Sequence, residues 1–197
     1  MNTILNFFLK LFALIGLLMI SPILAVCCIF IVIEDGFPII FTQDRLGKNK
    51  TIFKIIKIRT MKKETPSIGT HENINSNFLK IKLIIRKLKL DEFPQLYNYI
   101  LGDIDLVGPR PGLPNQIELK NERDKRNIFN VKPGITGLGQ ILNYDMSTPE
   151  LLSKVDAIYI KNHSAILDIA IFFATFIRPL RKMLQNKFDL EIKRGII

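Results

Sequence analysis

The chain has 197 residues, carries a formal net charge of +10 and is nearly half apolar, which suits one basic domain with affinity for a lipid surface or another anion. Its two cysteines, Cys27 and Cys28, are adjacent. Adjacent cysteines rarely satisfy disulfide geometry, and neither has the Cys/His spacing of a zinc site, so a disulfide framework and a zinc module are excluded. No nucleic-acid-binding motif accompanies the basic charge.

An uncharged apolar run extends from Leu11 to Ile33 and follows a short amphipathic start. As a helix it is long enough to reach across the hydrocarbon core of a bilayer. A cleaved signal peptide is disfavoured, because Lys10 alone supplies the positive start and no small-residue cleavage site precedes the polar residues. We therefore predict an uncleaved membrane anchor over residues 1–35.

Ser21 and Pro22 lie near the middle of this anchor. Proline removes one helical hydrogen bond and clashes with the preceding turn, and in lipid a serine hydroxyl can serve the carbonyl that proline leaves without a donor. Two anchors fit the residues equally. One is a kinked helix that crosses the membrane, and the other bends at Ser21-Pro22 and returns to the same face. The basic segments after the anchor predict a cytoplasmic domain.

Residues 39–43 and 51–59 are predicted to form two strands, and the turn residues 46–50 between them predict a hairpin. The polar composition of residues 62–77 is typical of a loop near a site. Residues 78–90 alternate Ile and Leu with Lys and Arg, which predicts a basic amphipathic helix that lies on a membrane or covers the core.

Asp91 and Glu92 stand side by side, and Pro94 follows. Since proline is tolerated in the first turn of a helix, a helix is predicted from near Asp91 to Gly102. A helix N-terminus favours negative charge and also attracts phosphate, so it would keep Asp91 ionised and bring a phosphoryl substrate to a carboxylate nucleophile. The alternative is that Asp91 is only an N-cap and Glu92 an ordinary acid of the first turn.

The C-terminal half is predicted to be mostly helical. Charged, exposed residues 116–127 and residues 149–162 predict helices, and residues 132–140 predict a glycine-rich turn. Residues 165–177 are apolar but too few to cross a bilayer, so they predict a core or interfacial helix.

Five residues could bind phosphate groups. Arg110 stands between two prolines that fix its backbone, and a guanidinium matches phosphate oxygens in a bidentate way. Gly137 lies where backbone N–H groups could approach a phosphate. Arg45, Lys57 and Arg59 lie on or beside the predicted hairpin and could neutralise a diphosphate. The alternatives are that Arg110 is a solvated side chain on a rigid surface turn, that Gly137 belongs to a structural turn, and that the three basic residues of the hairpin form a solvated face.

Taken together, the chain resembles the bacterial monotopic phosphoglycosyl transferases, the small bacterial sugar transferases that start cell-surface glycan assembly. Its length is that of the members that carry only the catalytic domain. The family commonly has Leu at the position of Phe93 and an aromatic residue at that of Ile58, and neither departure touches the expected chemistry. The matching segments occur in family order: Ser21-Pro22, Asp44–Gly47, Lys57–Met61, Leu90–Leu96, Gly102–Pro111 and Lys132–Gln140.

The resemblance implies an α+β fold with a membrane-embedded re-entrant helix broken at Ser21-Pro22, a β-hairpin near residues 39–59, and amphipathic and interfacial helices around them. Residues 1–35 would form the re-entrant anchor. Residues 36–197 would form a catalytic domain at the membrane interface, on the cytoplasmic face of the bacterial inner membrane.

The resemblance also implies a reaction. A UDP-sugar would donate its phosphosugar to polyprenol (undecaprenyl) phosphate and release UMP, as the first membrane step of glycoconjugate assembly. Asp91 would be the nucleophile and form an aspartyl phosphosugar. Mg²⁺ would be held by the acidic pair, with Glu92 the stronger candidate. Arg110 would bind the diphosphate or the nucleotide, and Lys57 and Arg59 would support it.

The expected partners are the UDP-sugar, polyprenol phosphate and the lipid bilayer, without nucleic acid. Which sugar is used, and whether the chain forms a homo-oligomer, stay open. Two alternatives also stay open: a non-catalytic basic membrane-tethered protein that binds anionic lipid, and the same enzyme on a spanning anchor. The first leaves the acidic pair and the Pro109-Arg110-Pro111 segment unexplained.

Overall fold

The computed structural model describes residues 3–62 and 80–193, and it divides the chain into two compact units. The first unit comprises Met1–Asp44 and Lys54–Gly102, and the second comprises Arg45–Phe53 and Asp103–Ile197. Residues 63–77 of the predicted loop and 78–79 of the helix predicted after it lie outside the described residues. The predicted division into an anchor over 1–35 and a catalytic domain over 36–197 stays a prediction.

The first unit opens with a long apolar helix, α1, over Thr3–Asp35. Within the described residues, it is the helix that is long and apolar enough to cross a membrane. The helix continues through Pro22 without interruption. Ser21 Oγ donates to Leu18 O at 2.7 Å, and this is the carbonyl that would have accepted from the N–H that proline lacks. The predicted help from the serine hydroxyl is confirmed, whereas the re-entrant bend stays a prediction.

One stripe of α1 is buried, and much of the rest of its described surface is apolar and exposed. Cys27 and Ile31 belong to the core of the first unit together with Ile58, Ile85 and Leu90. The exposed apolar residues of the helix include Phe7, Phe12, Leu18, Met19, Ile23, Val26, Ile29, Phe30 and Ile33. A helix with this surface is suited to lipid on one side and to protein on the other.

The predicted hairpin is confirmed. Strands β1 (Ile40–Leu46) and β2 (Ile52–Ile58) pair in a two-stranded sheet. The first strand runs three residues beyond its predicted end. Lys48–Lys50 form a 3-10 turn between the strands, in which Asn49 adopts a left-handed conformation with φ 54°.

The residues after the hairpin correct two predictions. Helix α2 is shorter than expected, Lys82–Lys87. Leu90–Glu92 form a 3-10 turn, and α3 covers only Gln95–Leu101, so Asp91 does not begin an α-helix. The physical reason is the left-handed conformation of Lys89 (φ 54°), which redirects the chain just before Asp91, together with Pro94, which has no N–H to continue the turn. The predicted end is confirmed, since Gly102 is left-handed with φ 91°.

The second unit packs helices against a short parallel strand pair. Strands β3 (Asp105–Val107) and β4 (Gly134–Thr136) are in register with Asp105 opposite Gly134 and Val107 opposite Thr136. The helices are α4 (Ile117–Lys125), α5 (Leu138–Leu142), α6 (Pro149–Lys161), α7 (Ala165–Ala174) and α8 (Arg178–Lys193). The core includes Val107, Leu138, Ile141, Val155, Ile158, Ile171, Leu184 and Phe188.

The predicted glycine-rich turn over 132–140 is therefore a strand followed by a helix. Close approach of two backbones explains two of its three glycines. A Cβ on Gly134 would lie 2.1 Å from Gly108 N, and a Cβ on Gly137 would lie 2.1 Å from Gly108 O. The glycines let the segment after β3 and the segment around β4 meet without side chains between them.

Candidate active site

Asp91 occupies the 3-10 turn after α2 and is 9% exposed. Its neighbour Leu90 is buried in the core of the first unit and fixes the turn there. Burial raises the pKa of Asp91, and the charge of Glu92 raises it further, while Lys57 and Arg86 act in the opposite direction. The expectation that a helix N-terminus keeps Asp91 ionised is corrected, because α3 begins only at Gln95 and burial has the larger effect.

Lys57 brings a positive charge to the acidic pair. Lys57 Nζ lies 2.9 Å from Glu92 Oε1, and both side chains are 16% exposed. An ion pair shielded in this way interacts more strongly than one in water, and it holds both side chains in place. The structure thus brings together three of the predicted residues, Asp91, Glu92 and Lys57.

Asn98 fixes the position of β2 against α3. Asn98 Oδ1 accepts from Ile56 N at 3.1 Å, and its Nδ2 donates to Lys54 O at 2.8 Å. Asn98 is 1% exposed, and both bonds are partly buried. Sequence reasoning missed this residue. Its signal is an amide between two tyrosines of α3, where a buried polar group needs partners.

Arg59 lies at the C-terminal end of α1. Its guanidinium pairs with the carboxylate of Asp35 and donates to the carbonyl of Gly36, and the residue is 6% exposed. A cation near the last carbonyls of a helix stabilises it, because these groups carry partial negative charge. The predicted contact of Arg59 with a diphosphate stays a prediction.

In the second unit, Arg110 is partly exposed while its neighbours from Val107 to Leu113 are buried. Arg45 is 8% exposed, and its Nη1 donates to Pro111 O at 3.0 Å. Burial lowers the pKa of Arg45 to about 10, and the positive charge of Arg110 contributes to the lowering. The structure therefore brings Arg45 and Arg110 together as two like charges, and an anion beside them would relieve their repulsion.

Gly137 is extended and packs against Gly108, as described above. Its close approach to the backbone of Gly108 is a structural reason for glycine at this position. Its predicted role beside a phosphate stays a prediction.

A buried ion pair in the second unit was missed. Residues 116–127 were predicted to be exposed, yet α4 buries Leu119 and Arg123. Arg123 Nη2 lies 2.7 Å from Asp156 Oδ2. The signal was Asp156 itself, since it falls on the same face of α6 as the buried residues Leu152 and Tyr159, where a carboxylate needs a cationic partner.

The acidic pair fits the ligand preferences of magnesium. Within residues 3–62 and 80–193, no group of three or more His, Cys, Asp or Glu side chains is arranged to hold a metal ion. Mg²⁺ often binds through one or two carboxylates together with substrate phosphates and water. Asp91 and Glu92 supply two such oxygen donors, and the repulsion that raises the pKa of Asp91 would be relieved by a divalent cation.

Comparison with known proteins identifies the family. The family model of bacterial sugar transferases matches residues 2–182, so the chain belongs to that family. The uncharacterized sugar transferase EpsL of Bacillus subtilis is 37% identical over 176 aligned positions, and the alignment covers 85% of this chain and 85% of EpsL. The predicted resemblance is thereby confirmed.

Two longer relatives match over one part of their length. The galactosyl transferase CpsE of Streptococcus agalactiae is 37% identical over 83% of this chain and 39% of CpsE. The UDP-N-acetylgalactosamine-undecaprenyl-phosphate N-acetylgalactosaminephosphotransferase of Aeromonas hydrophila is 33% identical over 83% of this chain and 40% of that protein. The chain thus spans about two fifths of each of these relatives.

Proposed function

We propose that the protein transfers a sugar phosphate from a UDP-sugar to polyprenol (undecaprenyl) phosphate through a covalent intermediate on Asp91. The observation that carries this proposal is the shielded cluster of Asp91, Glu92 and Lys57 in a member of the bacterial sugar transferase family. The names of two relatives support the substrates: the Aeromonas hydrophila enzyme named above, and the undecaprenyl-phosphate glucose phosphotransferase of Komagataeibacter xylinus, 32% identical over 83% of this chain.

In the first step, a carboxylate oxygen of Asp91 attacks the phosphorus that bears the sugar. The bond from this phosphorus to the bridging diphosphate oxygen breaks, and UMP leaves with the electron pair. Forming the ester removes the negative charge from Asp91. The repulsion by Glu92 and the cost of burying a charge, which together raise the pKa of Asp91, are both relieved at this point.

In the second step, an oxygen of polyprenol phosphate attacks the same phosphorus. The bond to Asp91 breaks, the carboxylate is restored, and the product is a polyprenol diphosphate sugar. A carboxylate nucleophile divides one difficult transfer into two displacements. Lys57 holds Glu92 and offsets part of the negative charge around Asp91 in both steps.

Charge neutralisation is the main demand of phosphoryl transfer. Mg²⁺ held by Glu92, with Asp91 assisting, would supply positive charge to the diphosphate oxygens when bound. In the second unit, Arg110 and Arg45 form a like-charged pair that suits the phosphates of the donor. We propose that Arg110 binds the donor, because it is partly exposed while the rest of residues 107–113 is buried.

We further propose that α1 is re-entrant, so that the domain lies on the cytoplasmic face of the inner membrane. Lys10 Nζ donates to Ile100 O at 2.7 Å, and Cys27 and Ile31, some twenty residues further along α1, lie in the core with Leu90. Both ends of the helix therefore contact the unit that contains Asp91. These contacts support a helix that enters and leaves the membrane on the side of its domain. A site at that membrane surface can reach both a soluble donor and a lipid acceptor.

Cysteine labelling tests this placement. In a variant with Cys27 and Cys28 replaced by alanine, single cysteines would be introduced at Asn2 and at Lys161 and treated with a membrane-impermeant maleimide on intact cells. We expect both to react only after the membrane is permeabilised, with Lys161→Cys reporting the cytoplasmic side. Labelling of Asn2→Cys in intact cells would contradict the re-entrant anchor and favour the spanning one.

The reaction is tested with the purified protein in lipid nanodiscs and a panel of UDP-sugars. We expect repeated turnover, measured as continuous UMP release, to depend on polyprenol phosphate. Labelled UMP should exchange into the UDP-sugar when no acceptor is present, since a covalent intermediate forms before the acceptor reacts. Release without any such exchange would contradict the covalent route. No release with any UDP-sugar, with vesicle binding retained, would favour the non-catalytic membrane tether.

A further inference from the structure

The backbone around Arg110 is held at four consecutive carbonyl groups, from Pro109 to Gly112. Each carbonyl accepts a hydrogen bond from β1, α4 or the start of β4. The donors are Gly134 N to Pro109 O at 2.9 Å, Arg123 Nη1 to Arg110 O at 2.8 Å, Arg45 Nη1 to Pro111 O at 3.0 Å and Leu46 N to Gly112 O at 2.9 Å. With two prolines restricting φ as well, this segment has little freedom.

Arg123 makes the contact to Arg110 itself. Its guanidinium is divided between two partners: Nε and Nη2 donate to Asp156 Oδ2 at 3.0 and 2.7 Å, and Nη1 donates to Arg110 O. Arg123 and Asp156 are each 2% exposed. The carboxylate balances the buried positive charge and fixes the plane of the guanidinium, so that Nη1 points at the carbonyl.

A buried ion pair is weak support for a purely stabilising role. Burying two charges costs much of what their attraction returns, and apolar residues of similar volume often serve stability equally well. The side chain at position 123 must donate both to Asp156 and to the carbonyl of Arg110. Apolar residues have no donor, and lysine carries its donors on a single nitrogen, so neither meets this geometric requirement. The need to hold the backbone of Arg110 therefore explains why an arginine–aspartate pair is buried here.

We infer that Arg123, oriented by Asp156, is a positioning residue that aims the Arg110 side chain at the phosphates of the nucleotide-sugar donor. This inference rests on the proposed function, in which Arg110 binds the donor. Arg123 acts through Arg110 and does not itself touch the substrate. Loss of its bond should loosen the backbone of Arg110 and weaken donor binding, while the displacement at phosphorus continues at saturating donor.

A double-mutant cycle in nanodiscs tests the inference, with KM for the UDP-sugar and kcat measured for Arg123→Lys, Arg110→Ala and the double variant. We expect Arg123→Lys, which can still pair with Asp156, to raise KM about tenfold, the equivalent of one shielded hydrogen bond, and to change kcat less than about twofold. In the Arg110→Ala background the same substitution should raise KM by less than about twofold, because its effect passes through Arg110.

The matched control is Asp124→Asn on the same helix, which removes the surface pair with Lys50 at 2.7 Å and should leave KM unchanged. If Arg123→Lys does not fold, as judged by thermal unfolding, the pair Arg123→Leu with Asp156→Leu replaces it. An unchanged KM in the folded Arg123 variant, or an equal rise in both backgrounds, would overturn the positioning role alone. An unchanged KM in Arg110→Ala would instead overturn the donor-binding role of Arg110, and the inference with it.

Discussion

Each unit holds two neighbouring like charges of which one is buried, and the charges are negative in the first unit and positive in the second. In the first unit, Asp91 lies beside Glu92, and burial with this neighbouring charge raises the pKa of Asp91. In the second unit, Arg45 lies near Arg110, and burial with that charge lowers the pKa of Arg45 to about 10. The charged forms of Asp91 and of Arg45 are therefore disfavoured, so the first pair suits a cation or loss of charge and the second suits an anion.

The pairs differ in how they are held. The charge of the acidic pair is compensated by one side chain, that of Lys57, so the charge on Asp91 can change during a reaction. Near the basic pair, the successive carbonyl groups of residues 109–112 all accept hydrogen bonds. The pair therefore keeps one geometry and one charge. This difference fits the proposed roles, in which the chemical step belongs to the first pair and donor binding to the second.

The strongest test of this contrast is Asp91→Asn. The amide is nearly isosteric but is not a nucleophile, so we expect UMP release to fall at least about 1,000-fold. Because ionised Asp91 is disfavoured in the folded protein, the same change should raise the free energy of unfolding at neutral pH. Asp124→Asn should leave UMP release unchanged. Activity of Asp91→Asn close to that of the parent would place the chemistry elsewhere.

A second test addresses the rigidity of the basic side. Gly134→Ala would place a methyl group 2.1 Å from Gly108 N, where only backbone atoms could move aside. We expect a loss of about 3 kcal/mol in the free energy of unfolding, measured by thermal unfolding in detergent. Gly16→Ala has no atom within 4 Å of its new Cβ and should change stability by less than about 1 kcal/mol. Equal stability of the two variants would show that the backbones are not in close contact.

The smallest expected effect is a shift of the pH profile in Lys57→Met. Lys57 lowers the pKa of Asp91, so its removal raises that pKa. A nucleophilic Asp91 must be ionised, and activity is lost as pH falls through its pKa. The acidic limb of the profile of kcat/KM should therefore move to higher pH. Lys54→Met, on the same strand, removes an exposed pair with Asp44 and should not move it. An unmoved limb in Lys57→Met would remove Lys57 from the site.

The sequence predicted those features that depend on local pattern. The long apolar helix α1, the hairpin, the end of α3 at Gly102 and the acidic pair all follow from composition, turn residues and neighbouring charges. What it could not predict depends on long-range contact. The parallel pairing of β3 with β4 joins two segments about 30 residues apart, and its glycines read locally as a turn.

Burial was the other quantity that local pattern could not supply. Arg123 stands in a charged segment and Asn98 between two tyrosines, and only the packing of other elements against them removes both from water. The same holds for Asp91, whose pKa is set by burial and Glu92 more than by its place in the turn. The sequence thus identified the candidate residues, and the fold determined their electrostatics.

The central claim is that the sugar phosphate becomes bound to Asp91, and mass spectrometry of a trapped intermediate tests it most directly. The protein in nanodiscs would be mixed with a UDP-sugar without polyprenol phosphate, quenched in acid, digested and analysed. The account predicts one added sugar phosphate on the peptide that contains Asp91, lost when the acceptor is supplied before the quench. Product formation with no adduct on this peptide, or with the adduct on another residue, would contradict it.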